Sequence, residues 1–318
     1  MSVQVLLFDG VEPSDLEAIE DVATFTAASE YDSEVALRAD IDRFDAVVVL
    51  NREIGAELLE AADSLSIVAK RGVGVDNVDI EAATEHGVLV CNTPGANARA
   101  VAEHALSLLL AVRHRVLLAD RQTRAGDWNP ERFETSELGG DVLGTFGAGN
   151  TGRTLARLAE GIGMDVLAYD PYVDADALPV GVSLVDSPAT LFDRADAVSV
   201  HVPLTEETRG AVGAAELDAL GPHGILLNTA RGGVVDEDAL VTALEDGTIA
   251  GAGLDVYESE PPAKDHPVFG FDEVVVTPHV AGATVEANAE KYRVTGENIR
   301  QVMAGEVPET ALNPEAVR

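Results

Sequence analysis

Three side chains stand just beyond three apolar runs. Arg231 follows "GILLNTA", Glu260 follows "AGAGLDV" after a short loop, and His279 follows "VVVTP". Near-continuous Val/Ile/Leu runs read as strands buried on both faces of a parallel sheet, whose carboxyl ends form one ligand-binding rim. On that rim the three side chains would converge. A ketone that receives a hydride becomes an alkoxide in need of a proton, and histidine supplies one near neutrality. A neighbouring carboxylate favours the imidazolium and orients its ring. A guanidinium grips a carboxylate in a planar fork and polarises a nearby carbonyl. Taken singly, each residue has an ordinary alternative: Arg231 as a surface ion pair, His279 as a strand-end hydrogen bonder.

A hydride needs a carrier, and "TFGAGNTGRTLARLA" (145–159) is suited to hold one. Gly147, Gly149 and Gly152 follow the strand pattern "VLGTF" and open a helix pattern. In such a fingerprint the first glycine makes the tight turn and the second lets backbone approach a pyrophosphate. The third lets helix and strand pack closely. The helix N-terminus offers free N–H groups to the phosphates. Asp170 ends the next apolar run, "LAYDP", where an acid would bind a ribose 2′-hydroxyl and repel a 2′-phosphate, so NAD rather than NADP is expected. The plainer alternative, glycines that only form a turn, leaves that acid unexplained.

These residues need two sheets to position them. "VQVLLFD", "DAVVVLN", "LSIVAKRG" and "GVLVCNTP" read as strands of one. "DVLGTFG", "MDVLAYDP", "ADAVSVHVP", "GILLNTARG", "IAGAGLDV" and "EVVVTPH" read as strands of the other. The fold class is therefore α/β, with two doubly wound parallel-sheet domains. Between the two series, "AVAEHALSLLLAVRHRVLLADRQTRAG" reads as one long helix with an apolar stripe at Val101, Ala105, Leu108, Leu109 and Val112. The last helical segment, "TVEANAEKYRVTGENIRQVMAG", has no new strands after it, so it is expected to return to the first sheet. That makes the first domain discontinuous and explains why the glycine fingerprint begins in mid-chain.

Composition narrows the partners. Among 318 residues, 56 acids face 21 bases, a net charge of −35, and the only lysines are Lys70, Lys264 and Lys291. The acids are dispersed, so they read as a coat adapted to high salt, where ions screen self-repulsion. Nucleic acid is an unsuitable partner for so acidic a chain. Cys91 is alone and reads as core filler. No Cys/His/acid cluster has metal-ligand spacing, so no metal is expected. His104, His201 and His266 read as structural. "ALSLLLAV" is too short to span a membrane and the start lacks a signal-peptide pattern, so a cytoplasmic protein is expected.

Taken together, "VGVDNVDIEAAT", "NTPGANARAVAEHALSLLLA", "GAGNTGR", "HVPLTEETRG", "LLNTARGGVVDEDALVTAL", "GAGLDVYESEPP" and "VVVTPHVAGAT" resemble the D-isomer-specific 2-hydroxyacid dehydrogenases, above all the phosphoglycerate branch. The likeness covers nearly the whole chain. It implies interconversion of a 2-oxo acid and a D-2-hydroxy acid with NAD, and a catalytic triad of Arg231, Glu260 and His279. It implies substrate contacts from Arg71, Gly72, Val73, Gly74, Asn97 and Arg231. Besides the three glycines, it places Asn150, Thr151, Asp170, Val202, Thr229, Ala230, Asp255 and Gly282 at the cofactor, with Asp255 near the nicotinamide amide. It further implies a flavodoxin-like substrate domain (1–98 and 283–318), a Rossmann NAD-binding domain (99–282), and a homodimer joined through the helix and arm after residue 100.

Two departures bear on the substrate and cofactor. Where the phosphoglycerate branch carries Arg-Ser to meet the phosphate, this chain has Asn51-Arg52-Glu53. The arginine is displaced by one position, and adjacent extended residues seldom point the same way. In the glycine loop, Asn150 replaces the family's arginine. Glyoxylate or hydroxypyruvate reduction is therefore an alternative, and an NAD-binding corepressor-like role is the alternative from another class.

Overall fold

The computed structural model describes residues 2–317. It divides into two compact units, 1–97 with 284–318, and 98–283. In the first unit, β1 (Val3–Leu7), β2 (Ala23–Ala27), β3 (Ala46–Val49), β4 (Ile67–Lys70) and β5 (Leu89–Cys91) form an all-parallel sheet. Their order is β2-β1-β3-β4-β5. β3, β4 and β5 are buried throughout, as apolar runs covered on both faces must be. The edge strand β2, "ATFTA", is only half-buried and its Ala/Thr pattern escaped the reading of long apolar runs. The helix Val285–Met303, capped by Thr284 Oγ1 accepting from Ala287 N at 3.1 Å, belongs to this unit and packs Ile299 into its core.

In the second unit, β6 (Val142–Phe146), β7 (Asp165–Tyr169), β8 (Ser183–Leu184), β9 (Ala197–Val200), β10 (Ile225–Asn228), β11 (Gly251–Leu254) and β12 (Val274–Val276) form another all-parallel sheet. The order β12-β11-β10-β9-β6-β7-β8 reverses direction between β6 and β9. Both sheets are thus doubly wound, as the alternation of apolar runs and helices implies. β8, two residues long, carries no periodicity to read.

The expected single helix after residue 97 is two. Ala98–Arg113 buries Val101, Ala105, Leu108, Leu109 and Val112, the predicted stripe. Arg115 then takes a left-handed backbone (φ +50°), and a second helix, Val116–Arg124, buries none of its residues. The break falls where the apolar stripe gives way to Arg113-His114-Arg115, so nothing holds a continuous helix to the core. Cys91 is fully buried, and burial pushes its thiol up to about 11, as befits a core side chain. Among the described residues no helix is long and apolar enough to cross a membrane.

Candidate active site

The glycine fingerprint lies where the second sheet reverses direction, the position at which doubly wound sheets bind ligands. Gly147 ends β6 with φ +105°, and a Cβ there would stand 2.8 Å from the backbone carbonyl of His201, beyond β9. A Cβ on Gly152 would collide with the Gly147 carbonyl oxygen. Gly149, by contrast, faces open space and caps the helix Asn150–Gly161 with no side-chain hydrogen bond. The first N–H groups of that helix are left to an incoming anion, with exposed Asn150 and half-buried Thr151 beside them. Asp170 Oδ2 accepts from Ala148 N at 2.9 Å and Oδ1 from Tyr172 N at 3.0 Å, so the same carboxylate also shapes the turn. Val202 packs against Gly147 from the loop after β9. The cradle fits a dinucleotide: a tight turn, an open glycine, an uncapped helix and an acid at the next strand end. Gly152→Ala should open the turn and weaken NADH binding by roughly tenfold or more, about 1.4 kcal/mol. Fluorescence titration checks this, and an unchanged Kd would contradict it.

His201 has its Nε2 enclosed without a hydrogen-bond partner, and burial lowers its pKa to about 4. The folded state therefore holds it neutral while the unfolded chain protonates it near 6.5. Between those values the unfolded state binds the extra proton, so its contribution to stability is present above about pH 6.5 and lost as pH falls towards 4. His201→Gln should flatten the fall in denaturation midpoint across that window. Parallel curves for both proteins would refute the assignment.

The carboxyl ends of β10, β11 and β12 are neighbours, and they carry the three candidate catalytic side chains. After β10, the buried Asn228 clasps its own loop: Oδ1 accepts from Ala230 N at 3.1 Å and Nδ2 donates to Arg231 O at 2.8 Å. Arg231 is half-buried and donates to Ala230 O at 2.7 Å, and the enclosed Thr229 hydroxyl has no protein partner. Gly232 then crosses the chain after β11 so tightly that a Cβ would overlap Tyr257 C and O and Glu258 N. That crossing brings the Arg231 loop against the loop of Glu260.

The Glu260 loop is braced from below. Glu260 Oε1 accepts from Tyr257 N at 3.1 Å, and Glu258 N donates to Glu237 Oε1 at 2.6 Å. Glu237 Oε2 also meets His266 Nε2 at 3.0 Å, giving His266 a structural partner. Burial, with the charges of Asp255, Glu260 and Glu237, pushes the Tyr257 hydroxyl up to about 12, so it stays a donor, to Thr277 O at 3.2 Å. Glu260 Oε2 lies 2.6 Å from His279 Nδ1. This pairing leaves Nε2 of the half-exposed imidazole to face a reactant.

His279 itself has φ +55°, a conformation uncommon outside glycine. Asp255, fully buried at the end of β11, explains how it persists. Its main-chain oxygen accepts from His279 N at 2.8 Å, and its carboxylate accepts from Val280 N at 2.9 Å, Ala281 N at 2.8 Å and Thr277 Oγ1 at 2.5 Å. His104 Nε2 closes the cluster, 2.9 Å from Thr277 Oγ1. Asp255 is fully buried and fixes the loop of His279 and half-buried Gly282.

The first unit holds Arg71, Gly72, Val73, Gly74 and Asn97. Arg71 N donates to Val49 O at 2.8 Å, Thr93 N to Gly72 O at 3.0 Å, and Asn92 Nδ2 to Val73 O at 2.7 Å. These bonds set the 71–74 backbone rigidly, with Val73 exposed and Asn97 half-buried. Arg52 is engaged elsewhere: it pairs with Glu34 and lies 5.7 Å over the Phe8 ring. The backbone N–H groups of Leu50, Asn51 and Arg52 all donate to Asp9 Oδ2, at 2.7, 2.8 and 3.2 Å. Among the described residues no group of three or more His, Cys, Asp or Glu could hold a metal ion.

Comparison with known proteins decides the family. Residues 106–281 match the family model for the NAD binding domain of D-isomer specific 2-hydroxyacid dehydrogenases. The chain belongs to that family. Within it, a D-3-phosphoglycerate dehydrogenase from Archaeoglobus fulgidus is 41% identical over 86% of this chain and 52% of its own length. A glyoxylate reductase from Korarchaeum cryptofilum is 42% identical over 86% of this chain and 84% of its own. The crystal structure of an NADPH-dependent glyoxylate/hydroxypyruvate reductase from Sinorhizobium meliloti superposes with a TM-score of 0.88 at 32% identity, covering 99% of both chains. The chain spans little more than half the length of the first phosphoglycerate dehydrogenases it matches, 52% and 59%. As a D-isomer specific 2-hydroxyacid dehydrogenase family member it carries a site for a nicotinamide dinucleotide, consistent with the cradle at Gly147–Gly152.

Asn228, Gly232, Glu237, Asn92 and Thr93 are positioning residues that motif reading passed over. The double glycine of "TARGGVV" was the one available signal.

Proposed function

We propose that this protein is an NAD-dependent dehydrogenase that interconverts a 2-oxo acid and its D-2-hydroxy acid. The observation that carries the proposal is the His279–Glu260 pair at 2.6 Å, on a rim shared with Arg231, in the same unit as the dinucleotide cradle. The bound nicotinamide supplies or accepts the hydride at the second carbon of the acid. His279, held by its bond to Glu260, gives its Nε2 proton to the carbonyl oxygen as that oxygen gains the electrons of the C=O π bond. In the reverse direction the neutral ring takes the hydroxyl proton. Arg231 binds the acid's carboxylate and polarises the carbonyl, and Arg71, Gly72, Val73, Gly74 and Asn97 are assigned to the substrate. Gly147, Gly149, Asn150, Thr151, Gly152, Asp170, Val202, Thr229, Ala230, Asp255 and Gly282 are assigned to the dinucleotide, Asp255 also holding the His279 loop. Asp170 favours NAD by repelling a 2′-phosphate.

The domain roles follow: substrate binding in 1–98 and 283–318, NAD binding in 99–282. Exposed Val116, Leu117 and Trp128 on the arm after residue 113 support assembly as a homodimer, and the acidic coat supports work in the cytoplasm at high salt. A second reading, glyoxylate or hydroxypyruvate reduction, is favoured by Arg52 being paired with Glu34.

One assay series tests the proposal: NADH and NADPH oxidation with 2-oxo acids, in molar KCl and without added salt. NADH-dependent reduction that requires salt, by a species of two-chain mass, is expected. Tight NADH binding without turnover of any acid would sink the enzymatic reading and favour a binding role. Preference for NADPH would sink the role of Asp170.

A further inference from the structure

Two N–H groups of the 71–74 segment, on Val73 and Gly74, donate to no group among the described residues. Their direction is set from behind. In a trans peptide the C=O and N–H point opposite ways, so whatever holds a carbonyl also aims the N–H that follows it. Thr93 N donates to Gly72 O at 3.0 Å, and Asn92 Nδ2 to Val73 O at 2.7 Å. Both donors come from the segment after β5, so the Val73 and Gly74 N–H groups are both turned away from it. One peptide further back the same rule applies again. Asn92 O accepts from Asn298 Nδ2 at 3.1 Å, which aims the Thr93 N–H at Gly72 O. Asn298 Oδ1 in turn accepts from Thr310 Oγ1 at 2.7 Å. The links share one direction of donation: hydroxyl to amide, amide to peptide, peptide to peptide, ending on the Val73 N–H. Each donor in such a chain is polarised by the one behind it.

On local grounds Asn298 is poorly suited to its place. It is buried inside the helix Val285–Met303, where asparagine is a weak helix former and an amide out of water must be paired. Both of its bonds leave the helix, for Asn92 and Thr310. Thr310 is placed by a tail that pairs with β5. Cys91 and Ala311 form an antiparallel bridge, Leu312 N donates to Val90 O at 2.9 Å, and Asn313 Oδ1 accepts from Val90 N at 2.7 Å. All of these residues belong to the first unit. We propose that Asn298 is a positioning residue for the acid's carboxylate, acting through Asn92 and Thr93 on the peptides of Val73 and Gly74. This rests on the dehydrogenase reading above, which assigns the 71–74 segment to the substrate. A leucine would fill the same space. What the amide adds is orientation, settled before an anion arrives and so not rearranged by its arrival.

The test measures KM and kcat for 2-oxo acids with NADH, the NADH Kd, and inhibition by oxalate, all in molar KCl. Asn298→Leu should raise KM and the oxalate inhibition constant by the same factor, roughly five- to tenfold, the scale of one hydrogen bond. Its kcat and NADH affinity should be unchanged, because only uniform substrate binding is lost. Thr310→Val, which removes the hydroxyl, should show a smaller rise in KM, and Thr310→Ser, which keeps it, none. A general folding defect would not divide the constants in this way. Should Asn298→Leu fail to fold, Thr310→Val against Thr310→Ser carries the decision. Wild-type KM in the folded variants, or kcat, KM and NADH affinity all worsening together, would overturn the role of Asn298 and leave the dehydrogenase reading standing. No turnover of any acid by the wild-type protein would overturn that reading instead. Calorimetric titration of oxalate into the NADH complexes of wild type and Asn298→Leu then tests the carboxylate site by itself, equal affinities overturning it.

Discussion

Replacing His279 with alanine is expected to lower kcat by about 10²- to 10⁴-fold while NADH still binds. The imidazole lies 2.6 Å from Glu260, is half-exposed, and sits on a loop fixed by the fully buried Asp255. Nothing in the glycine cradle touches it, so cofactor affinity should be unaffected. Glu260→Gln should do less damage, because the glutamine can still accept a hydrogen bond from Nδ1 and hold the ring. Stopped-flow single turnovers separate chemistry from product release in both variants. Turnover within a fewfold of wild type in His279→Ala would remove this residue from the reaction.

The second large effect comes from a residue with no chemistry of its own. A methyl group on Gly232 would overlap main-chain atoms of Tyr257 and Glu258, and neither strand-end loop has a flexible side chain to yield there. Gly232→Ala must therefore push the Arg231 loop away from the Glu260 loop. Overpacking of this kind destabilises by about 3 kcal/mol or more when backbone has to move. A displacement near 1 Å at a reacting centre lowers the rate by roughly 10²-fold. Both effects should appear together, as a lower unfolding midpoint and a lower kcat. Gly233→Ala is the natural control, since its Cβ would meet only the side chains of Arg209 and Leu204, at 3.3 Å. A Gly232→Ala protein with wild-type stability and rate would show that the crossing is not as tight as described.

Much of this arrangement was legible because parallel strands write themselves as uninterrupted apolar runs. β6 and its glycine turn, and the rim positions of Arg231, Glu260 and His279, follow directly from that rule. β2 and β8 did not, one being a half-buried edge strand, Ala-Thr-Phe-Thr-Ala, and the other only two residues long. The helix break at Arg115 was hidden because helical periodicity on either side continues through it, and only the loss of burial after Val112 reveals it.

The supports of the site were less visible for a different reason. Asn228, Glu237, Asn92 and Asp255 act on backbone groups, and a backbone partner leaves no mark in a sequence. Asp255 shows the limit most clearly, because its hydrogen bonds to the backbone of the His279 loop are written nowhere in the motif that contains it. Arg52 shows another limit, because its role depends on whether Glu34 lies beside it, which only the tertiary structure tells.

The central claim is that one unit binds NAD and presents His279 to the oxygen of a D-2-hydroxy acid. Its most direct measurement is NAD reduction in molar KCl with matched pairs of D- and L-2-hydroxy acids, including glycerate, malate and lactate. The account predicts NADH formation from the D isomer of at least one pair and none from its L partner, lost in His279→Ala. Oxidation of the L isomer, or of both isomers alike, would contradict it.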